Sequence, residues 1–171
     1  MKKTLLQRGF TLIELLVVIA IIAILTAIVT TNFTSSKAKS RDAKRISDIA
    51  QIQLALALYF DRCNDYPQSL SVDSKSVNCN GDPSSELTIQ LSEYISGLPR
   101  DPLNTGFYVY TYKTNNTSVS VPATNYVLRA KLETASTALN DDIDGSGSSV
   151  FSITNGCDDT SSNYYYCVKP Y

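Results

Sequence analysis

Gly9-Phe10-Thr11-Leu12-Ile13-Glu14-Leu15-Leu16-Val17-Val18-Ile19-Ala20 opens the stretch that decides how the rest of the chain is read. From Phe10 to Val29 only Thr11, Glu14 and Thr26 interrupt an otherwise apolar run. As a helix rising about 1.5 Å per residue, it spans roughly 30 Å, the thickness of a bilayer's hydrocarbon core. Lys2, Lys3 and Arg8 precede it, and basic flanks hold that end on the cytoplasmic side, with the remainder of the chain outside. A secretory signal peptide would carry small residues in an A-x-A pattern after the apolar run. Leu25-Thr26-Ala27-Ile28-Val29 matches that pattern only weakly. A plain single-pass anchor explains length and orientation but leaves Glu14 unaccounted for. An acid costs about 2.5–3.5 kcal/mol at the centre of a membrane helix and less near the interface, so a carboxylate placed there needs a partner.

Gly9-Phe10-Thr11-Leu12-Ile13-Glu14-Leu15 resembles the prepilin processing motif of type IV pilins and type II secretion pseudopilins. The likeness covers the leader, the junction and the whole apolar helix. It implies cleavage between Gly9 and Phe10 by a prepilin peptidase on the cytoplasmic face, N-methylation of Phe10, and retention of the apolar helix on the mature protein. Gly9, lacking a side chain, lets a protease approach the backbone closely. Cleavage there creates an ammonium group on Phe10, four residues before Glu14. The two charges can pair within one helix. The resemblance implies instead that Glu14 of an incoming subunit meets the Phe10 ammonium of one already assembled. That contact neutralises the carboxylate and sets axial register, as a buried polar residue does in a coiled coil. Many pilins carry a proline or glycine in this helix, near Ala23 and Thr31; here neither residue type occurs between Phe10 and Asp65. Either the helix resists melting on assembly, or Thr30-Thr31-Asn32 loosens it.

Charge and composition narrow the rest. Removing Lys2, Lys3 and Arg8 from 15 basic residues leaves 12 against 16 acidic from Phe10 onward, a balance of −4. A mildly acidic chain has no general electrostatic footprint for nucleic acid. With no histidine among 171 residues, histidine-dependent triads and His-ligated zinc are excluded. The acid pairs Asp141/Asp142 and Asp158/Asp159 sit in turns and make poor general acid–base candidates, so no enzyme is expected. Cys63, Cys79, Cys157 and Cys167 contain no C-x-x-C pair and suit disulfides outside the cytoplasm. Three pairings are possible. Sequential pairing, Cys63–Cys79 and Cys157–Cys167, closes two short loops and is the one expected, each bridge stabilising by roughly 3 kcal/mol in the chain-entropy model.

From Ser36 to Phe60 the pattern becomes amphipathic. Ala43, Ile46, Ile49, Ala50, Gln53, Ala57 and Phe60, joined by Ile52, Leu56 and Tyr59, form a broad apolar face. Lys37, Lys39, Arg41, Lys44 and Arg45 read as a solvated basic face. They also suit outer-leaflet phosphates, or acidic neighbours such as Asp42 and Asp48 in a filament. Asn64-Asp65-Tyr66-Pro67 ends the helix between Asp61 and Asp65, after about 50 residues. A short helix is predicted over 84–95 and strands over 107–112, 125–133 and 150–153, in an antiparallel meander. The chain thus divides into a leader (1–9), a membrane or filament-core helix (10–31), its amphipathic continuation (32–62), a connecting region (63–100), and a sheet with a disulfide-bounded carboxy-terminal loop (101–171). The fold class is α+β, a long helix packed against a small antiparallel sheet, as in pilins.

Leu98-Pro99-Arg100-Asp101-Pro102 before the first strand also resembles the turn of G-type major pseudopilins of type II secretion. Asn140-Asp141-Asp142-Ile143-Asp144-Gly145 matches the opening of a calcium loop, with Phe151 where the bidentate Glu of an EF-hand would stand. G-type pseudopilins carry a calcium site near their carboxy terminus, which makes Asp142 and Asp144 candidate ligands; a plain turn uses the same residue types. The function expected is a structural subunit polymerising into a type IV pilus, lodged first in the cytoplasmic membrane and then in an extracellular filament. Its partners are other copies of itself, prepilin peptidase, membrane lipid, and a platform protein with its ATPase. Exposed Ser/Thr/Asn-rich loops after Thr114 favour the surface pilus. A type II secretion pseudopilin is the alternative within that class. A minor tip pilin binding DNA or a surface ligand is the alternative outside it, with Lys113, Arg129 and Lys131 as its small basic patch.

Overall fold

The computed structural model describes residues 9–71, 90–115, 121–144, 153, 156–157 and 163–170, with the side chains of residues 29–32 left aside. Two compact units divide the chain, Met1–Ala38 and Lys39–Tyr171. Helix α1 runs Leu12–Cys63, 52 residues without glycine or proline. A capping box starts it: Glu14 Oε2 accepts from the Thr11 backbone N–H at 2.8 Å, and the Glu14 N–H donates to Thr11 Oγ1 at 3.3 Å. Asn64 stops it in the left-handed region, φ 50°, donating its N–H to the Phe60 carbonyl at 2.7 Å. Pro67 then bars any continuation. The end at Cys63 agrees with the expected stop.

In the first unit every residue from Gly9 to Ile28 is exposed. The helix there is long and apolar enough to cross a membrane. Folding of this chain alone covers none of those side chains.

In the second unit α1 lies against a three-stranded antiparallel sheet of order β1-β2-β3, with β1 at Thr111–Thr114, β2 at Tyr126–Leu132 and β3 at Tyr164–Val168. Thr111 pairs with Arg129, and Ala130 with Tyr166. Successive β2 residues point to opposite faces. Tyr126, Leu128 and Ala130 join Ile49, Ile52, Leu56, Tyr59 and Leu91 in the main core. Val127 packs with Ile153, Cys157, Tyr165 and Cys167 in a smaller cluster. The centre strand is therefore buried on both sides, which explains why its sequence reads as an apolar run rather than an alternation.

Several predicted elements shift. The first strand begins at Thr111, not Phe107, because Asn104 (φ 47°) and Gly106 (φ 56°) turn the chain and the Tyr108 N–H closes back on the Thr105 carbonyl at 3.0 Å. The third strand is Tyr164–Val168, inside the stretch read as exposed loop. Of the expected 150–153 strand only Ile153 is described, buried but not in a strand. Most of the predicted 84–95 helix lies outside the described residues. Its described part is a single 3-10 turn at Leu91–Glu93, followed at once by Gly97 and Pro99. The apolar face of α1 is rotated from its expected position: Ala43 and Ala50 are exposed, whereas Asp42, Arg45 and Asp48 are buried with Ile49 and Ile52.

Candidate functional site

The junction Gly9-Phe10 stands open. A Cβ added at Gly9 would meet nothing within 4 Å, and Phe10 is 91% exposed. Among the described residues nothing crowds this position, and a glycine leaves the backbone open to close approach. Four residues on, the Glu14 carboxylate is already engaged: Thr11 Oγ1 donates to Oε2 at 2.7 Å, beside the backbone bond. Thr11 was the residue missed here. The T-x-x-E spacing before an apolar run is the sequence signal that identifies it.

A second cluster gathers on α1 around Arg45, whose side chain is fully buried. Its Nε and Nη2 form a fork on Asp101 at 2.6 and 3.0 Å. Its Nη1 donates to Asp42 at 2.8 Å and to Glu133 at 2.7 Å, and Tyr108 lies 4.9 Å from the guanidinium carbon. Arg41 also donates to Glu133. Asp42 then accepts the backbone N–H groups of Glu133 and Thr134 at 2.9 and 3.0 Å. Asp101 accepts the Leu103 N–H at 2.8 Å, so the same carboxylate shapes its own turn. One arginine thus ties the helix to the Leu98–Pro102 turn and to the exit of β2. Burial lowers the Arg45 pKa, but the three carboxylates outweigh it and hold the group charged. Hydrogen bonding from Arg41, with Arg45 adding and burial opposing, draws the Glu133 carboxyl down to about 2. Burial pushes Asp101 up, and Arg45 with the turn's N–H groups more than reverses it.

Lys37, Lys39 and Lys44 stay exposed as a solvated face would, but these contacts correct that reading for Arg45, which is buried, and for half-buried Arg41: their acidic partners lie within the same chain. Asp48 likewise accepts from Lys44 at 3.1 Å and from the Tyr110 hydroxyl at 2.7 Å. The detectable signal was charge at Asp42, Arg45 and Asp48, in helical register with Ile49 and Ile52. The suggested basic patch is not available as a set either. Arg129 is buried and donates to the Gly156 carbonyl at 2.7 Å, and the Lys131 ammonium lies 5.3 Å from the centroid of the Phe107 ring.

Cys157 and Cys167 are joined, as expected. Cys63 is also disulfide-bonded, while Cys79 lies outside the described residues. Asp142 Oδ2 accepts the Cys167 N–H at 2.7 Å, pinning the turn to β3; Asp144 is exposed. Among the described residues no three Cys, Asp or Glu side chains gather as a metal group would require. Residues 145–152, which complete the acidic loop, lie outside the described residues.

Residues 5–30 match the prokaryotic N-terminal methylation motif. Type II secretion system core protein G of Escherichia coli (strain K12) is 35% identical over 96 residues, covering 56% of this chain and 66% of its own length. The chain therefore spans just under two thirds of that relative. Core protein G of Vibrio cholerae is 33% identical over 102 residues, 60% of this chain and 69% of its own length. Type IV major pilin protein PilA of Myxococcus xanthus is 38% identical over 78 residues, 44% of this chain and 36% of its own. No solved structure matches the chain. By its amino-terminal motif, its helix-and-sheet fold and these relatives, the chain belongs to the pilin and pseudopilin family, whose members are structural subunits and not enzymes.

Proposed function

We propose that this chain is a G-type pseudopilin of a type II secretion system. In this reading it is made as a membrane precursor, cut between Gly9 and Phe10 by a prepilin peptidase, methylated on Phe10, and drawn from the membrane into a short filament of its own copies. A platform protein and its ATPase drive that step. The observation that carries it is the fully exposed apolar helix from Phe10 to Ile28, headed by Gly9-Phe10 and an engaged Glu14. Such a surface has to be covered by lipid or by copies of the same helix. Core protein G relatives favour secretion over the surface pilus that the loops after Thr114 suggested. The Myxococcus pilin keeps the pilus as a second reading. Cleavage would free an ammonium four residues from Glu14 and place a cation in competition with Thr11 for its carboxylate. A structural calcium at Asp142 and Asp144 belongs to the same proposal.

Mass spectrometry of the amino-terminal peptide, on membranes and on sheared surface material from native cells, tests it. A peptide beginning at methylated Phe10, found in the membrane and accompanied by loss of protein secretion when the gene is deleted, is expected. The same peptide abundant in sheared filaments would favour the pilus, and an intact Met1 terminus would defeat both.

A further inference from the structure

Within Lys39–Tyr171 the exposed large apolar side chains gather in two places. On α1, Leu54 (62% exposed) and Leu58 (46%) stand one turn apart. In the loop before β1, Leu103, Phe107 and Val109 are open, Phe107 by 65%.

The two patches face different ways. Arg45 marks the side of α1 that meets the loop, since it pairs with Asp101 there. Leu54 comes nine residues later, which at 3.6 residues per turn is two and a half turns, on the opposite side of the helix. Leu58 continues the stripe, and exposed Asp61 ends it with an acid. The loop patch is basic at its border: the Lys131 ammonium lies over Phe107, and Lys113 is exposed on the strand that follows. A patch that meets its own copy closes a dimer, whereas two unlike patches generate a head-to-tail series, a ring where the rotation closes and an open filament where it does not.

We propose that the loop patch around Phe107 of one copy docks on the Leu54–Leu58 stripe of the next, with Asp61 facing the lysines. The contact is apolar at its centre and charge-matched at its border, and it repeats without closing. It rests on the pseudopilin reading and adds a contact made by the folded domain to the one made by apolar helices.

The test places Leu54→Cys and Phe107→Cys together in the full chain and treats membranes of producing cells with a short bismaleimide. Among the described residues no cysteine is free, so the parent chain should give monomer only. The double variant should give a ladder of dimers, trimers and longer species, and each single variant only monomer. Dimers from either single variant would show like meeting like and overturn the proposal. A chain processed at Phe10 and held in the membrane but giving no ladder would overturn it while leaving the pseudopilin reading standing. An intact Met1 terminus in the parent chain would bring both down together.

Discussion

The stretch of α1 from Leu12 to Ile28 and the stretch from Asp42 to Cys63 are one kind of secondary structure in opposite surroundings. In the first, every side chain is exposed. In the second, positions three and four apart are buried against the sheet, through Ile49, Ile52, Leu56 and Tyr59. The first is rich in Ile and Val, which are mediocre helix formers in water. A lipid environment, where only internally bonded backbone is tolerated, would supply the reason for helix there on the proposed reading. The second owes its order to tertiary packing. Identical geometry can therefore rest on a solvent in one place and on a core in another, and substitutions separate the two.

Arg45→Ala strands Asp101, Asp42 and Glu133 without their cation and should cost about 3–5 kcal/mol, read by chemical denaturation of the full chain in detergent micelles. A loss below about 1 kcal/mol would show that the packing, not the charge cluster, fixes the turn onto the helix. Leu56→Ala should cost about 2–5 kcal/mol in the same assay, because a fully buried side chain leaves a cavity. Removing the carboxy-terminal bridge with Cys157→Ser and Cys167→Ser together should cost about 2–4 kcal/mol. Acid acts through Glu133: its carboxyl is lowered to about 2 from 4.5, so the stability it contributes is present above pH 4.5 and fades as pH falls towards 2. Denaturation midpoints that hold steady from pH 5 to 2.5 would remove that link. Leu54→Ala should shift monomer stability by no more than about 0.5 kcal/mol, as an exposed site does. A melt in excess chelator sharpens the remaining question, since an unchanged melting temperature would remove calcium from the acidic turn.

Much of the architecture was legible because it rests on long patterns. A helix without glycine or proline from Phe10 to Asn64 needs only counting, and β2, apolar on both faces, stands out over seven residues. The Cys157–Cys167 bridge follows from short spacing. The failures come from short or two-faced signals. Tyr164-Tyr165-Tyr166-Cys167-Val168 places aromatic rings on both sides of the sheet, so its alternation of burial leaves no alternation of polarity. The start of β1 was displaced because the turn through Asn104 and Gly106 runs on to Tyr108, past the glycine that reads as its end. The Arg45 cluster escaped because two of its three carboxylates, Asp101 and Glu133, are 56 and 88 residues away; no local window contains them. At the junction the motif was legible from its spacing, and residues 5–30 match it, while the Thr11 contact to Glu14 lay in the same seven residues and needed only the capping pattern.

The position of β3 bears on timing. It pairs with β2 from Leu128↔Val168 to Leu132↔Tyr164 and lies after every other described element. Gln53, deep in the helix, donates to the carbonyl of Lys169 at 2.9 Å. A chain emerging in order of synthesis holds its helix ready long before the strand that completes the sheet arrives. On the proposed secretion reading, the domain would close only after residues near 169 had crossed to the side where Cys157 and Cys167 are oxidised. Translocation, oxidation and folding would then finish together, and a subunit taken up too early would carry an open sheet edge into the assembly.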